Sequence, residues 1–402
     1  MTKNSLAKNS SADKGIISWL KNSCLRQILK FNKNRNKNLW LFAAWEGQKY
    51  SDNSRYLFEY INEFHKNISC VWVTKDKAIL SNLKSKGMQC VLVGSEECKQ
   101  AELKAGVCFY TNGIDDFGDV NYAYGAKFVC LMHGVSFKKL GFERPSNNNF
   151  VLKILKKIKY SFYYSMYADY YITSSEYMRK RMNAQFFGAD MDKIFITGQP
   201  RNDIFYNVQE LKSTDNKILY MPTYRNNPHS AMQLENILKE LADDLQLREL
   251  LKNYNFTLYI KLHYLSNKVD IGDNPVVKIL TDKESCDVQE LLLNSRILIT
   301  DYSSVVNDFA LLNRPVIMFP FDKESYLVEE GIVSEFNEIL KPETTAYDTP
   351  SLLKIIEKIL TQKESSYSTI RCINKFFNDD SLLLGDFSKN VYEVILKNLS
   401  NE

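Results

Sequence analysis

The chain has 402 residues, enough for two or three domains and a sizeable buried core. With 45% apolar and 25% charged residues, it excludes wholesale disorder, a small stapled scaffold and a bundle of membrane spans. A net charge of +4 is too small for a dedicated nucleic-acid binder unless it is segregated, and it is: residues 1–40 carry +8, residues 138–160 carry +6 and the rest sums to −10.

Residues 1–14 read as a polar, frayed tail. From Gly15 onward, Ile16, Ile17, Leu20, Cys24, Ile28 and Phe31 recur at helical spacing, with Trp19 beside them and Lys21, Arg26 and Lys30 around the other side. That pattern suits a helix lying on an anionic membrane surface, and it equally suits a helix docked on the protein's own core. From Asn38 strands and helices alternate. Strands are expected at Leu39–Ala44, Ser69–Thr74, Gln89–Val93, Val107–Thr111 and Lys127–Met132, with helices such as Ser54–Phe64 and Lys77–Lys86 between them.

A second series follows at Tyr170–Thr173, Ile194–Thr197, Lys217–Tyr220, Thr257–Leu262, Val276–Leu280, Ile297–Thr300 and Val316–Phe319. Two doubly wound parallel α/β units predict two Rossmann-like domains with a ligand cleft between them. The boundary is expected near Thr197–Asn216, and helices near Ser351–Leu360 and Ser388–Leu399 are candidates to cross back. The eight cysteines include no C-x-x-C pair and several sit in apolar runs, which reads as free thiols in a reducing compartment. No run supplies the ~18–20 apolar residues of a membrane span, and no signal peptide is evident. The expected location is the cytoplasm.

Of four histidines, two sit where strands should end, and in an open α/β sheet those ends face the ligand crevice. His133 follows Phe128–Met132 and precedes Gly134; it is a candidate general base, or else a core histidine bonded to backbone. His263 ends the strand Thr257–Leu262, on the opposite domain, whereas His65 and His229 read as surface residues. No His/Cys/Asp/Glu cluster has metal-ligand spacing, and Asp190-Met191-Asp192 reads as a turn. The strand Ile297–Thr300 runs through Asp301, Tyr302, Ser303 and Ser304 into a helical pattern, so Thr300, Asp301, Ser303 and Ser304 form a candidate phosphate site or an ordinary N-cap. Thr223 and Arg225, after Lys217–Tyr220, are further candidates for phosphate oxygens. Arg201, in the hinge Gly198–Asp203, is a phosphate ligand or a hinge salt bridge.

Seven motifs in order resemble the CDP-glycerol glycerophosphotransferase family of teichoic-acid and capsule biosynthesis. They are Gly47–Asn53, His133-Gly134 with Lys138 and Lys139, Thr173-Ser174-Ser175, Gly198–Asp203, Pro222–Arg225, His263-Tyr264-Leu265, and Thr300–Ser304 through Asp308-Phe309 to Arg314-Pro315. Gly134-Val135-Ser136 stands where the family often has Gly-Thr-Pro. The resemblance implies a two-domain, glycosyltransferase-B-like fold and transfer of glycerol phosphate or a related polyol phosphate from a CDP-activated donor to a hydroxyl of a membrane-linked acceptor, releasing CMP.

It implies His133 as the base, and His263 with Thr223, Arg225, Arg201, Thr300, Asp301, Ser303 and Ser304 around the donor phosphates. Gly134, Lys138, Asn202 and Asp203 are acceptor or cleft candidates. No metal or other cofactor is required. The expected layout is a basic tail and amphipathic helix (1–37), an acceptor-side domain (38–200) with a basic helical insertion near 138–165, a donor domain (201–375), and a C-terminal segment (376–402). Partners would be CDP-glycerol or CDP-ribitol, a lipid-linked saccharide or polymer, and the inner face of the membrane; no nucleic acid is expected. The second basic stretch, Phe150–Tyr164, is amphipathic and aromatic-flanked, which fits the same anionic surface. The rival readings are a nucleotide-sugar glycosyltransferase of the same architecture and a non-catalytic nucleotide-binding component of an envelope-assembly complex.

Overall fold

A computed structural model describes residues 21–32, 34–140, 143, 168–185, 190–206, 216–263, 266, 269–281, 287–362, 367–382 and 384–400. The tail and first part of the N-terminal helix, most of the basic stretch 138–165, Tyr264 and Leu265 lie outside the described residues.

Strands β1 (Asn36–Phe42), β2 (Ser69–Thr74), β3 (Cys90–Leu92), β4 (Ala105–Tyr110), β5 (Lys127–Cys130), β6 (Tyr170–Thr173) and β7 (Ile194–Ile196) form one sheet, ordered β3-β2-β1-β4-β5-β6-β7. Every pairing in it is parallel. Side chains alternate between its faces: Leu41, Val71, Cys108 and Phe128 pack on one side, and Trp40, Phe42, Trp72, Phe109 and Val129 on the other. Both faces are therefore dry, which is why the strands read as continuous apolar runs.

Strands β8 (Lys217–Met221), β9 (Thr257–Ile260), β10 (Val277–Ile279), β11 (Ile297–Thr300) and β12 (Val316–Met318) form a second parallel sheet, ordered β10-β9-β8-β11-β12. Strand order reverses between β1 and β4 in the first sheet and between β8 and β11 in the second. These are the two crevices where an open α/β sheet binds ligands. The fold is the expected pair of Rossmann-like units.

The chain ties the two units together in three ways. The loop after β5 crosses over: Val135 and Phe137 are buried in one core with Phe336, Ile373 and Phe377, Lys139 N donates to Gly331 O at 2.8 Å, and Val333 N donates to Phe137 O at 3.0 Å. The hydroxyls of Ser174 and Ser175 donate to the carbonyls of Phe377 and Phe376, terminating the helix Ser368–Phe377. The final helix, Phe387–Ser400, inserts Val391, Tyr392 and Ile395 into the core of the first sheet. His65 is half-buried there and stacks on Tyr392 at 3.6 Å, so it docks this helix and is no simple surface residue. His229 is exposed, in the first turn of the helix Pro228–Asp243.

Residues 21–29 are helical. Leu25 and Leu29 pack on the first sheet's core while Ile28 and Phe31 face outward, 68% and 74% exposed. One side of the amphipathic pattern is thus docked and another is open. Among the described residues, the seven cysteines are free thiols, and no helix is long and apolar enough to cross a membrane.

Candidate active site

The carboxyl ends of the two sheets face each other. From the first come the loops after β1 (Trp45–Asp52), β4 (Thr111) and β5 (His133); from the second come those after β8 (Thr223), β9 (His263) and β11 (Asp301–Ser304).

The side chain of His133 is exposed to solvent. Desolvation lowers its pKa below the ordinary value; Asp52 pulls it up, Arg201 pushes it down, and a hydrogen bond to the Thr111 backbone favours the protonated ring. In the neutral ring one nitrogen carries the proton and the other a lone pair, which is what a general base needs. The imidazole also meets the Trp45 indole edge-on, with centroids 6.0 Å apart.

His263, half-buried, lies across the cleft with its ring 5.4 Å from that of Tyr224. Desolvation lowers its pKa, and Lys49, Lys138 and Lys261 push it in the same direction. Lysines from both halves thus converge on this imidazole. Lys138 is partly exposed, 3.5 Å from Glu330, and its own pKa is lowered, chiefly by desolvation. Gly134 is a point of close approach between the halves. Its φ is 137°, and a Cβ there would lie 2.7 Å from the Ser304 hydroxyl and 3.0 Å from Arg201 Nη2. A side chain would force the Ser303-Ser304 turn away from the His133 loop.

The expected phosphate ligands divide sharply. Ser303, Ser304 and Thr223 are partly exposed. Ser303 Oγ accepts from Val305 N at 3.4 Å, and Ser304 makes no side-chain cap. The following helix, Val305–Ala310, has only six residues, so hydroxyls and not a helix dipole are what this turn offers an anion. Thr223 donates through its N–H (2.9 Å) and its hydroxyl to Asp301 Oδ1.

The other candidates are committed to the framework. Thr300 is fully buried, its hydroxyl donating to Met221 O at 2.7 Å. Arg225 is buried between Asp301 (2.7 Å) and Asp322 (2.6 Å) and lies over the rings of Tyr326, Tyr302 and Phe321. Arg201 is buried between Asp52 (2.8 Å) and Asp308 (2.7 Å) and donates to His133 O at 2.9 Å. Each guanidinium faces two carboxylates, so neither cluster carries surplus positive charge for a phosphate. Arg201 thus makes the hinge salt bridge that was one of its two expected readings.

Asn202 donates to Asp308 Oδ1 and accepts from Gln289, both at 2.9 Å. Asp203 accepts from Phe387 N (2.7 Å) and Ser388 N (2.9 Å), capping the final helix away from the cleft. Trp45, Asp52, Thr111, Asp116, Lys261 and Asp308 carry the site's support and went unassigned in the sequence. Asp52 and Asp308 lie inside recognised motifs, but only their meeting at Arg201 reveals the role. Among the described residues no group of three or more His, Cys, Asp or Glu side chains is arranged to hold a metal.

A cleft between the carboxyl ends of two doubly wound sheets, with an imidazole contributed from each side, defines the glycosyltransferase-B-like class. Within it, the family model described as CDP-Glycerol:Poly(glycerophosphate) glycerophosphotransferase matches residues 25–397, and the chain belongs to that family. It is 25% identical over 397 residues to a teichoic acid poly(glycerol phosphate) polymerase of Staphylococcus epidermidis, covering 90% of this chain and 51% of that protein. It is 30% identical over 268 residues to a teichoic acid glycerol-phosphate primase of Bacillus subtilis, covering 65% of each. The chain thus spans about half to two thirds of the length of these relatives. The structure of the wall teichoic acid polymerase TagF superposes with a TM-score of 0.71 at 22% identity, covering 100% of this chain and 99% of that one, which supports the fold.

Proposed function

We propose that the protein transfers a polyol phosphate, glycerol phosphate in the first place, from a CDP-activated donor to a hydroxyl of a lipid-linked acceptor, releasing CMP. The observation that carries this reading is the pair of imidazoles in strand-end loops of the two sheets, His133 beside Trp45 and His263 beside Tyr224. The acceptor oxygen attacks the phosphorus next to the polyol, the bond from that phosphorus to the CMP oxygen breaks, and His133 takes the hydroxyl proton. Such transfer is mostly positioning and electrostatics.

The three lysines, Ser303 and Ser304 line the side where the pyrophosphate would bind. The lysine field disfavours protonated His263; a bound pyrophosphate would offset that field and favour the imidazolium, which can donate to a phosphate oxygen. The test is a panel of CDP-glycerol, CDP-ribitol and UDP-sugars with CMP and UDP release followed. CMP from a CDP-polyol is expected. UDP release alone would make the protein a glycosyltransferase, and binding without turnover a non-catalytic component.

Work at the inner membrane face belongs to the same reading. Exposed Ile28 and Phe31 beside exposed Lys21 and Lys30 suit an anionic lipid surface, where each cation contributes ~1 kcal/mol. Sedimentation with anionic liposomes at low salt is the check, and absence of binding there overturns it.

A further inference from the structure

The loop that carries His133 is bonded from both sides of the cleft. Asn307 Nδ2, on the helix Val305–Ala310 that follows the Ser303-Ser304 turn, donates to Val135 O at 2.8 Å. Two residues earlier, His133 O accepts from Arg201 Nη1 at 2.9 Å, and Arg201 Nη2 donates to Asp308 Oδ2, on that same helix, at 2.7 Å. The carbonyls on either side of Gly134 are thus held by neighbouring residues of one helix of the second unit, one directly and one through Arg201. Gly134 makes this approach possible, since a Cβ there would collide with Ser304 Oγ and crowd Arg201 Nη2.

The same guanidinium is anchored in the first unit. Arg201 Nη1 donates to Asp52 Oδ1 at 2.8 Å, and Asp52 Oδ2 accepts from Trp45 Nε1 at 3.1 Å. Asp52 holds this place at φ 66°, a backbone region unfavourable for a residue with a side chain unless its surroundings impose it. Arg201 N donates to Asn53 Oδ1 at 3.1 Å, and Asn53 Nδ2 donates to Leu131 O (3.0 Å) and Met132 O (2.8 Å), the two residues that lead into His133. Beyond Asp308, Gln289 Nε2 donates to Asn202 Oδ1 (2.9 Å) and Asp308 Oδ2 (3.2 Å). Asn53, Arg201, Gln289, Asn307 and Asp308 are all buried, so bulk water does not compete for these bonds. A rigid planar fork that meets acceptors from three separate segments at once admits one arrangement of them.

We infer that Arg201 and Asn307 are positioning residues: they clamp the backbone from His133 to Val135 onto the helix Val305–Ala310 and so fix the reach of the base relative to the Ser303-Ser304 turn. The inference rests on the transfer reaction proposed above. Its test uses the full chain, CDP-glycerol and a synthetic prenyl-diphosphate disaccharide ending in glycerol phosphate. Arg201→Lys keeps the charge and loses the fork. Misplacing a reacting group by ~1 Å costs ~100-fold, so this variant is expected to lower kcat by about that factor while the donor KM stays within about threefold. Asn307→Ala releases only Val135 O and should lower kcat by about tenfold, again with the donor KM within about threefold. Thermal melting establishes that each variant is folded at the assay temperature.

The acid limb of kcat/KM separates this role from a general loss of structure. Asp52 raises the proton affinity of His133 and Arg201 lowers it. Arg201→Met should therefore move the limb to higher pH, whereas Arg201→Lys and Asn307→Ala leave it in place. A folded Arg201→Lys variant with kcat within about twofold of the wild type, or one whose loss lies in the donor KM, overturns the clamp. So does an acid limb that Arg201→Met leaves unmoved. Should the Arg201 variants fail to fold, Asn307→Ala decides the question by the same comparison of kcat with donor KM. A wild-type chain that releases UDP from a UDP-sugar and no CMP from a CDP-polyol overturns the transfer reaction alone, and the clamp is then read with the same variants on that donor.

Discussion

The two histidines follow strands β5 and β9, one in each sheet, and their surroundings differ in kind. His133 has an anion and a cation at hand, Asp52 and Arg201, and a hydrogen bond to the Thr111 backbone. His263 has three lysines and no compensating carboxylate among the causes of its shift. A field balanced between an anion and a cation suits a group whose proton affinity stays constant. An unbalanced positive field suits a group whose protonation responds to the arrival of an anion. The same residue type on the same scaffold thus acquires two characters from the charges that converge on it.

That contrast breaks most readily at His133. His133→Ala should lower kcat by at least ~100-fold, in line with general-base contributions, and near-normal turnover would remove it from that role. In the wild type, kcat/KM reports the free enzyme, and the lowered pKa keeps His133 unprotonated at pH 7. Activity should therefore fall only as pH drops through a midpoint below 6.5. An acid limb centred above 6.5 contradicts the assigned environment.

A smaller effect is expected at His263. Losing one charge-assisted contact of ~1.5–3 kcal/mol predicts a ~10–100-fold drop in donor kcat/KM for His263→Ala. Steady-state titration of CDP-glycerol at saturating acceptor measures it. A donor term unchanged by this variant would mean that the lysine-ringed side does not receive the pyrophosphate.

The arginines show where reading the sequence stops. Arg201 and Arg225 stand in loops at strand ends, among hydroxyls, and each looks like a phosphate ligand. Nothing local distinguishes them from the lysines that do line the cleft. The partners that consume them lie far away in sequence: Asp52 and Asp308 for Arg201, Asp301 and Asp322 for Arg225. Thr300 and Asp203 mislead for the same reason, since one bonds across a strand pair and the other caps a helix nearly two hundred residues on. Trp45 was invisible because its importance depends on β1 lying beside β4, an adjacency fixed by sheet order.

The sequence by itself determined the alternating strands and helices, the two units, and the placing of His133 and His263 at strand ends, because periodicity and chain direction are local properties. It also carried the motifs that place the chain in its family. Tertiary structure alone decided which cations face the cleft and which are neutralised within it, and which aromatic ring stands beside the base. Those outcomes depend on charges and contacts brought together from both sheets, and a buried ion pair is defined by its partner as much as by itself.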